Sequence, residues 1–185
     1  MQAIIDSIKS DRLDAKPAVV ISNNSDSIAI QRAIKEGIPW YHLSSKTHPD
    51  PNQLDGTILE VLEKYETDLV ILAGYMKKIG DKTLDAFRGQ ILNIHPALLP
   101  KFGGKGMFGK KVHQAVIAAG EKESGATVHL VDGQYDHGPV LAQKKVPVLE
   151  DDTADSLAER VLKVEHQLYS ETIADIIAGK ISLPG

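Results

Sequence analysis

Short apolar runs recur along the chain and alternate with stretches whose apolar residues return every three or four positions. The runs are Ala18–Ile21 (AVVI), Ile38–Leu43, Leu69–Ala73 (LVILA), Gln90–Ile94 (QILNI), Ala126–Val131 (ATVHLV) and Val140–Val146. The periodic stretches are Met1–Ser10, Ser27–Glu36, Asn52–Tyr65, Lys111–Ala119 and the long Ala154–Ala178. A run such as LVILA suits a strand buried on both faces, because neither of its sides is polar. Strands separated by helices at this spacing predict βα units around a parallel sheet. The expected fold is α/β, a doubly wound and mostly parallel sheet with a long C-terminal helix. No repeat, low-complexity tract or linker interrupts it, so residues 1–185 are expected to form a single domain.

The start of the chain departs from that scheme. Met1–Ser10 (MQAIIDSIKS) reads as a helix with Ile4, Ile5 and Ile8 on one face, yet no strand and no N-cap residue precede it. In a βα unit the turn before the first helix is the natural phosphate site. Either the chain is short by nature or it starts inside a longer reading frame.

Composition narrows the partners. Hydrophobic residues make up 42% and charged residues 25%, ordinary for a soluble globular protein. Against 25 acidic residues stand 21 basic ones, a net charge of -4, which disfavours nucleic acid as the main partner. The absence of cysteine rules out disulfides, thiol catalysis and thiolate-bound zinc. No apolar stretch nears the ~18 residues of a membrane span, and no signal-peptide pattern opens the chain. The default expectation is a cytoplasmic protein.

The candidate chemistry sits in Ile91–Pro100 (ILNIHPALLP), at the end of a predicted strand. Asn93 and His95 alternate with apolar residues, so both side chains leave one side of the strand. Pro96 cannot donate to a ladder, which puts His95 at the carboxyl end, the edge where open α/β sheets bind ligands. Strand Ala126–Val131 runs into Asp132–Gly138 (DGQYDHG), which carries Asp136. Acyl transfer to an amine uses such a set. An amide N–H can hold a developing oxyanion, an imidazole moves protons near neutrality, and a carboxylate beside it raises the imidazole pKa. Bland readings stay open on residues alone: a strand-end His is commonly structural or exposed, and Asp136 could be an Asx-turn residue.

Asn93–Pro100 (NIHPALLP) resembles the signature of the folate-dependent formyltransferase family, and Gly125–Gly138 (GATVHLVDGQYDHG) resembles its second signature, whose Asp falls on Asp136. Leu72–Gly80 (LAGYMKKIG) is similar to the strand and loop that hold the folate, and Val164–Tyr169 (VEHQLY) to a helix motif of the glycinamide ribonucleotide branch. The resemblance covers essentially the whole chain. It implies a Rossmann-like fold and formyl transfer from 10-formyltetrahydrofolate, as cosubstrate, to the amine of glycinamide ribonucleotide in purine biosynthesis. It further implies that Asn93 and His95 polarise the formyl group and hold the tetrahedral intermediate, while Asp136 orients His95 and raises its pKa. Folate contacts are implied at Met76, Lys77, Lys78, Ile79, Ile91 and Asn93, and along Val131, Asp132, Gly133, Gln134, Tyr135 and Asp136. Nucleotide contacts are implied at Gly74, Leu162 and Glu165, the last near the ribose. No metal is implied, the partners are small molecules rather than nucleic acid or membrane, and a homodimer stays open.

Several positions depart from the family pattern. Its first strand and the Gly/Ser/Asn-rich phosphate turn would precede Gln2, so weak nucleotide binding and an unfilled slot in the sheet are expected. Lys77 stands where many members carry Arg, His48–Gln53 has no Arg, and Leu130 and Gly133 are uncommon at their places. The alternatives are another folate-dependent formyltransferase or hydrolase, or a folate-binding homologue without turnover. A formyl-methionyl-tRNA former would need a further domain after Gly185, and a hydrolase a regulatory domain before Met1.

Other signals carry less. GKGMFGKK (Gly104–Lys111) puts Lys111 where a phosphate loop needs Ser or Thr, so it reads as a mobile flap whose lysines Lys101, Lys105, Lys110 and Lys111 attract anions, or as a solvated loop. The histidines lack the HExxH spacing, which leaves His95 and His137 as the one pair offered for a meeting in space. By composition Met76 and Trp40 would be core and Glu165 solvated surface; the resemblance alone promotes Met76 and Glu165.

Overall fold

The apolar runs become strands and the periodic stretches helices. Their order is α1 (Gln2–Lys9), β1 (Val20–Ser22), α2 (Ile28–Glu36), β2 (Trp40–His42), α3 (Pro51–Lys64), β3 (Val70–Leu72), α4 (Asp81–Ala86), β4 (Ile91–His95), α5 (Lys110–Ala118), β5 (Glu123–Leu130), β6 (Val140–Pro147) and α6 (Ala154–Ile177). This computed structural model describes residues 1–184, so of the expected range only Gly185 lies outside the described residues. Side-chain caps mark several helix starts. Ser27 accepts from the Ile30 amide, Asp50 from the Asn52 amide, and Thr153 forms a capping box with Ser156. Helix α1 has no side-chain cap, as its sequence foretells.

Parallel pairing joins β1 to β2 and β3 to β4, whereas β5 runs antiparallel to both β4 and β6. For β5 and β6 the antiparallel pairing follows from chain length, because residues 131–139 leave room for a turn but not for a crossover. The sheet falls into two pieces, β1-β2 and β3-β4-β5-β6. No ladder joins β1 to β3 among the described residues. The pieces still share a core: Ile21 of β1 and Val70 and Leu72 of β3 pack on Leu62, Ile79, Phe87 and Ile91.

Helix α6 closes the other face. Its Leu157, Val161, Leu168, Tyr169 and Ile173 are buried with Leu92, Val128 and Leu130 of the sheet. Each such aliphatic side chain contributes roughly 1.5–3 kcal/mol by leaving water. At the head of α6, Asp152 accepts hydrogen bonds from both Arg160 terminal nitrogens and from the Leu149 amide.

Two expectations fail. Trp40 is 43% exposed rather than core, because β2 pairs with β1 alone among the described residues and Trp40 opens that outer strand. Helix α4 was not foreseen, since six residues are too few to display a helical period. Its start is made by a distant residue: Asp55 of α3 accepts from the Lys82 and Thr83 amides and from the Thr83 hydroxyl. A Cβ at Gly80 would overlap the Asp55 carboxylate, which explains the glycine there.

Candidate active site

Asn93 and His95 leave β4 on the side expected, at its carboxyl end. Across the ladder, Asn93 faces His129 of β5, and His95 faces Thr127. His129 Nδ1 lies 2.8 Å from the Leu130 carbonyl, so the ring proton sits on Nδ1 and Nε2 is left as acceptor. Nε2 lies 3.1 Å from Asn93 Nδ2 and accepts from it. That bond fixes which end of the Asn93 amide is the donor and leaves its second N–H to point elsewhere.

His95 is 4% exposed, and its Nε2 donates to the Phe102 carbonyl at 2.8 Å. Its Nδ1 lies 3.5 Å from Asp136 Oδ2, and Asp136 Oδ1 lies 3.6 Å from His129 Nε2. The carboxylate thus stands between two imidazoles, just outside hydrogen-bond distance of both. Asp136 has a left-handed backbone (φ 53°) and accepts from the Gly104 amide at 2.9 Å. It therefore acts on the imidazoles and is not an Asx-turn residue. Asp132 fills that role, accepting from the Gln134 amide.

The upward pull of Asp136 on the His95 pKa is present but is outweighed. Burial pushes its pKa below the ordinary imidazole value; Asp136 and the Phe102 carbonyl pull upward without compensating, and His129 lowers it further. The pairing foreseen from sequence exists, but desolvation outweighs it. For Asp136, burial pushes upward, yet His129, His95 and the Gly104 amide together hold the carboxyl below its usual range. His95 is thus held neutral near pH 7, next to an ionised carboxylate.

The glycine-rich flap is tied to this centre through Phe102 and Gly104. Gly103 has no space for a Cβ between Leu99 and Asp136. Two of its lysines are spent: Lys101 pairs with Glu121 at 2.8 Å and Lys110 with Asp155 at 2.7 Å. Lys111 lies over the Phe108 ring, and Lys105 makes no ion pair among the described residues. Behind the flap, His113 of α5 is buried, its Nδ1 has no hydrogen-bond partner among the described residues, and burial and then His95 lower its pKa.

The remaining candidates surround this centre unevenly. Met76, Lys77 and Lys78 are exposed on loop 73–80, and Met76, at 56% exposure, is not the core residue composition suggested. Gly74 has a left-handed φ of 77° at the head of that loop. Gly133, Gln134 and Tyr135 are exposed, with Val131 and Asp132 half-buried. Ile79 and Ile91 lie in the core, 8% and 1% exposed, so they back the loop rather than offer surface. His137 pairs with Asp132 at 2.9 Å, and the histidine that joins His95 at Asp136 is His129. On α6, Leu162 is exposed and Glu165 half-buried. Glu165 is not solvated surface: burial pushes its pKa up to about 7, against the pull of the Met1 amine. No group of three or more His, Asp or Glu is placed to hold a metal ion, and no helix is long and apolar enough to cross a membrane, among the described residues.

The profile of the formyl transferase family matches residues 1–173. The chain belongs to that family. Within it, the chain is 45% identical over 181 residues to the chloroplastic phosphoribosylglycinamide formyltransferase of Vigna unguiculata, covering 97% of this chain and 58% of that protein. It likewise spans 56% of the Arabidopsis thaliana relative, so it covers little more than half of either plant protein. The phosphoribosylglycinamide formyltransferase of Bacillus subtilis is 36% identical over 95% of this chain and 88% of its own length. Among solved structures, glycinamide ribonucleotide transformylase 1 from Symbiobacterium toebii superposes with a TM-score of 0.91 at 38% identity, covering 100% of this chain and 84% of that chain. The fold is thus shared with that structure.

His129, the Phe102 carbonyl and the Gly104 amide were missed from sequence. His129 lies inside the second signature and alternates with apolar neighbours as Asn93 does, so a signal was available. The two flap groups are backbone atoms and leave none.

Proposed function

We propose that this chain transfers a formyl group from 10-formyltetrahydrofolate to the amine of glycinamide ribonucleotide. The observation that carries the reading is the convergence of the Asn93 amide, the His95 imidazole and the Asp136 carboxylate at the carboxyl end of β4. The relatives named phosphoribosylglycinamide formyltransferase support the acceptor and the transferred group. Loop 73–80 and residues 131–136 flank this centre as the folate side, and Gly74, Leu162 and Glu165 form the nucleotide side.

The nucleotide amine attacks the formyl carbon, and the carbonyl oxygen takes up negative charge. The free N–H of Asn93 holds that oxyanion, and His95 joins it once its Nδ1 is protonated, because its one N–H in the neutral state is on Nε2 and is bonded to the Phe102 carbonyl. A buried neutral imidazole becomes more basic when an anion forms beside it, so His95 takes up the proton the amine releases. Asp136 stabilises the resulting imidazolium across the 3.5 Å gap. The bond between carbon and the folate N10 then breaks, and N10 takes the proton from His95 or from a water near Asp136. We read the compartment as the cytoplasm.

The test is stoichiometry. The chain is mixed with 10-formyltetrahydrofolate and the nucleotide, and formylated nucleotide and tetrahydrofolate are both quantified. Equal amounts are expected. Formate release that ignores the nucleotide would make the chain a hydrolase, and folate binding with no product would make it a binding protein.

A further inference from the structure

Loop 73–80 has no regular structure, yet both its ends are fastened by buried side chains from remote helices. At its head, the Tyr169 hydroxyl of α6 lies 3.0 Å from the Leu72 carbonyl and 2.9 Å from the Leu92 carbonyl. Leu72 is the last residue of β3 and its register partner is Asn93. A tyrosine hydroxyl has one proton to give, so it is shared between two strands where their ladder ends. Tyr169 is 4% exposed and the ring is part of the main apolar cluster.

At its tail, Asp55 of α3 grips the first turn of α4. Its Oδ2 accepts from the Lys82 amide at 2.8 Å, and its Oδ1 from the Thr83 hydroxyl at 2.6 Å and the Thr83 amide at 3.3 Å. Asp55 and Thr83 are 7% and 1% exposed, so water does not compete for these bonds. Gly80 admits the carboxylate because it has no Cβ to block it. Between the two fastenings Met76, Lys77 and Lys78 face solvent.

We propose that Tyr169 and Asp55 are positioning residues that hold loop 73–80 at a fixed span and so set the affinity for folate without touching it. The inference rests on the folate side assigned above. Backbone groups of a loop can meet a flat ligand edge only if both loop ends are held. Slack at either end costs binding on the folate side, while on the nucleotide side only Gly74 shares the loop and Leu162 and Glu165 lie outside it on α6.

Tyr169→Phe removes one hydroxyl and keeps the ring. Asp55→Asn keeps an acceptor for Thr83 but turns an NH2 group toward the Lys82 amide. Calorimetry with 5,8-dideazafolate is expected to show affinity about 10- to 100-fold weaker in each variant, with a clearly smaller rise in nucleotide KM, since Gly74 alone of the nucleotide side lies on the loop. Should Asp55→Asn fail to fold, Thr83→Val, which deletes a single hydroxyl, replaces it. Folded variants with parental folate affinity overturn the proposal, as does an equal loss for both ligands. Amide exchange separates this failure from failure of the functional reading. If the parent protein binds no folate analogue, faster exchange confined to residues 74–80 in the variants still supports the two fastenings, and unchanged exchange overturns them.

Discussion

Asn93 and His129 face each other across the β4–β5 ladder, and His129 Nε2 accepts a hydrogen bond from the Asn93 amide at 3.1 Å. The histidine thereby decides which end of the amide can donate to an oxyanion. Losing an oxyanion donor costs on the order of 10²–10³ in rate, so losing only its orientation in His129→Ala is expected to lower kcat by roughly 10-fold or more. KM should move little. His129→Gln, whose side-chain oxygen can accept in place of Nε2, is expected to recover part of the loss. Steady-state kinetics check this, and equal kcat in the alanine and parent proteins contradicts it.

Asp136 supplies the main upward pull on a His95 pKa that burial has lowered. Removing the negative charge in Asp136→Asn leaves burial less opposed, so the His95 pKa falls further below the ordinary imidazole value. Loss of the imidazolium's counter-charge should also lower kcat. NMR titration of the His95 ring in both proteins measures the shift, and an unchanged or raised pKa is incompatible with the pairing.

Much of this was legible in the sequence, for stated reasons. The strand LVILA and the helix Ala154–Ile177 announced themselves because periodicity reports burial directly. Asn93 and His95 were legible because Pro96 marks a strand end. The electrostatic balance was not legible: the sequence shows that Asp136 belongs with His95, but the depth of burial that outweighs it is set by α5, the flap and β5 together. Trp40 misled because a strand's apolar run does not say which strand will be outermost. Helix α4 was hidden because its cap, Asp55, is 26 residues before its first residue, Asp81.

Glu165 is expected to destabilise the fold at alkaline pH. Burial raises its folded pKa to about 7 from an ordinary value of 4.5. A raised folded pKa means the folded state favours the protonated carboxyl. That contribution is full below pH 4.5 and is lost as pH rises through about 7. Glu165→Gln therefore should melt near the parent at pH 4 and higher than the parent at pH 8, a difference on the order of 1–3 kcal/mol. Thermal melts at the two pH values decide it, and an equal shift at both contradicts the assignment.

The Asp152–Arg160 clamp has the opposite sign. Arg160 holds the Asp152 carboxyl well below the usual range, with help from Ser156 and the Leu149 amide against the cost of burial. A depressed folded pKa contributes stability that is present above the unfolded value, ~3.9, and lost as pH falls through the folded one. Arg160→Ala is expected to lower Tm by a few degrees at pH 7 and by progressively less toward pH 2. A constant difference across that range would show that the clamp acts by packing alone.

The most direct test of the account is the rate of formyl transfer in His95→Ala. The variant should keep the far-UV spectrum of the parent protein, since His95 closes β4 and contributes to no apolar cluster. Its kcat, measured at saturating 10-formyltetrahydrofolate and glycinamide ribonucleotide, is expected to fall by at least ~10²–10³, because oxyanion donor and proton carrier are lost together. A folded His95→Ala protein that turns over at the parental rate would contradict the assignment of the catalytic centre.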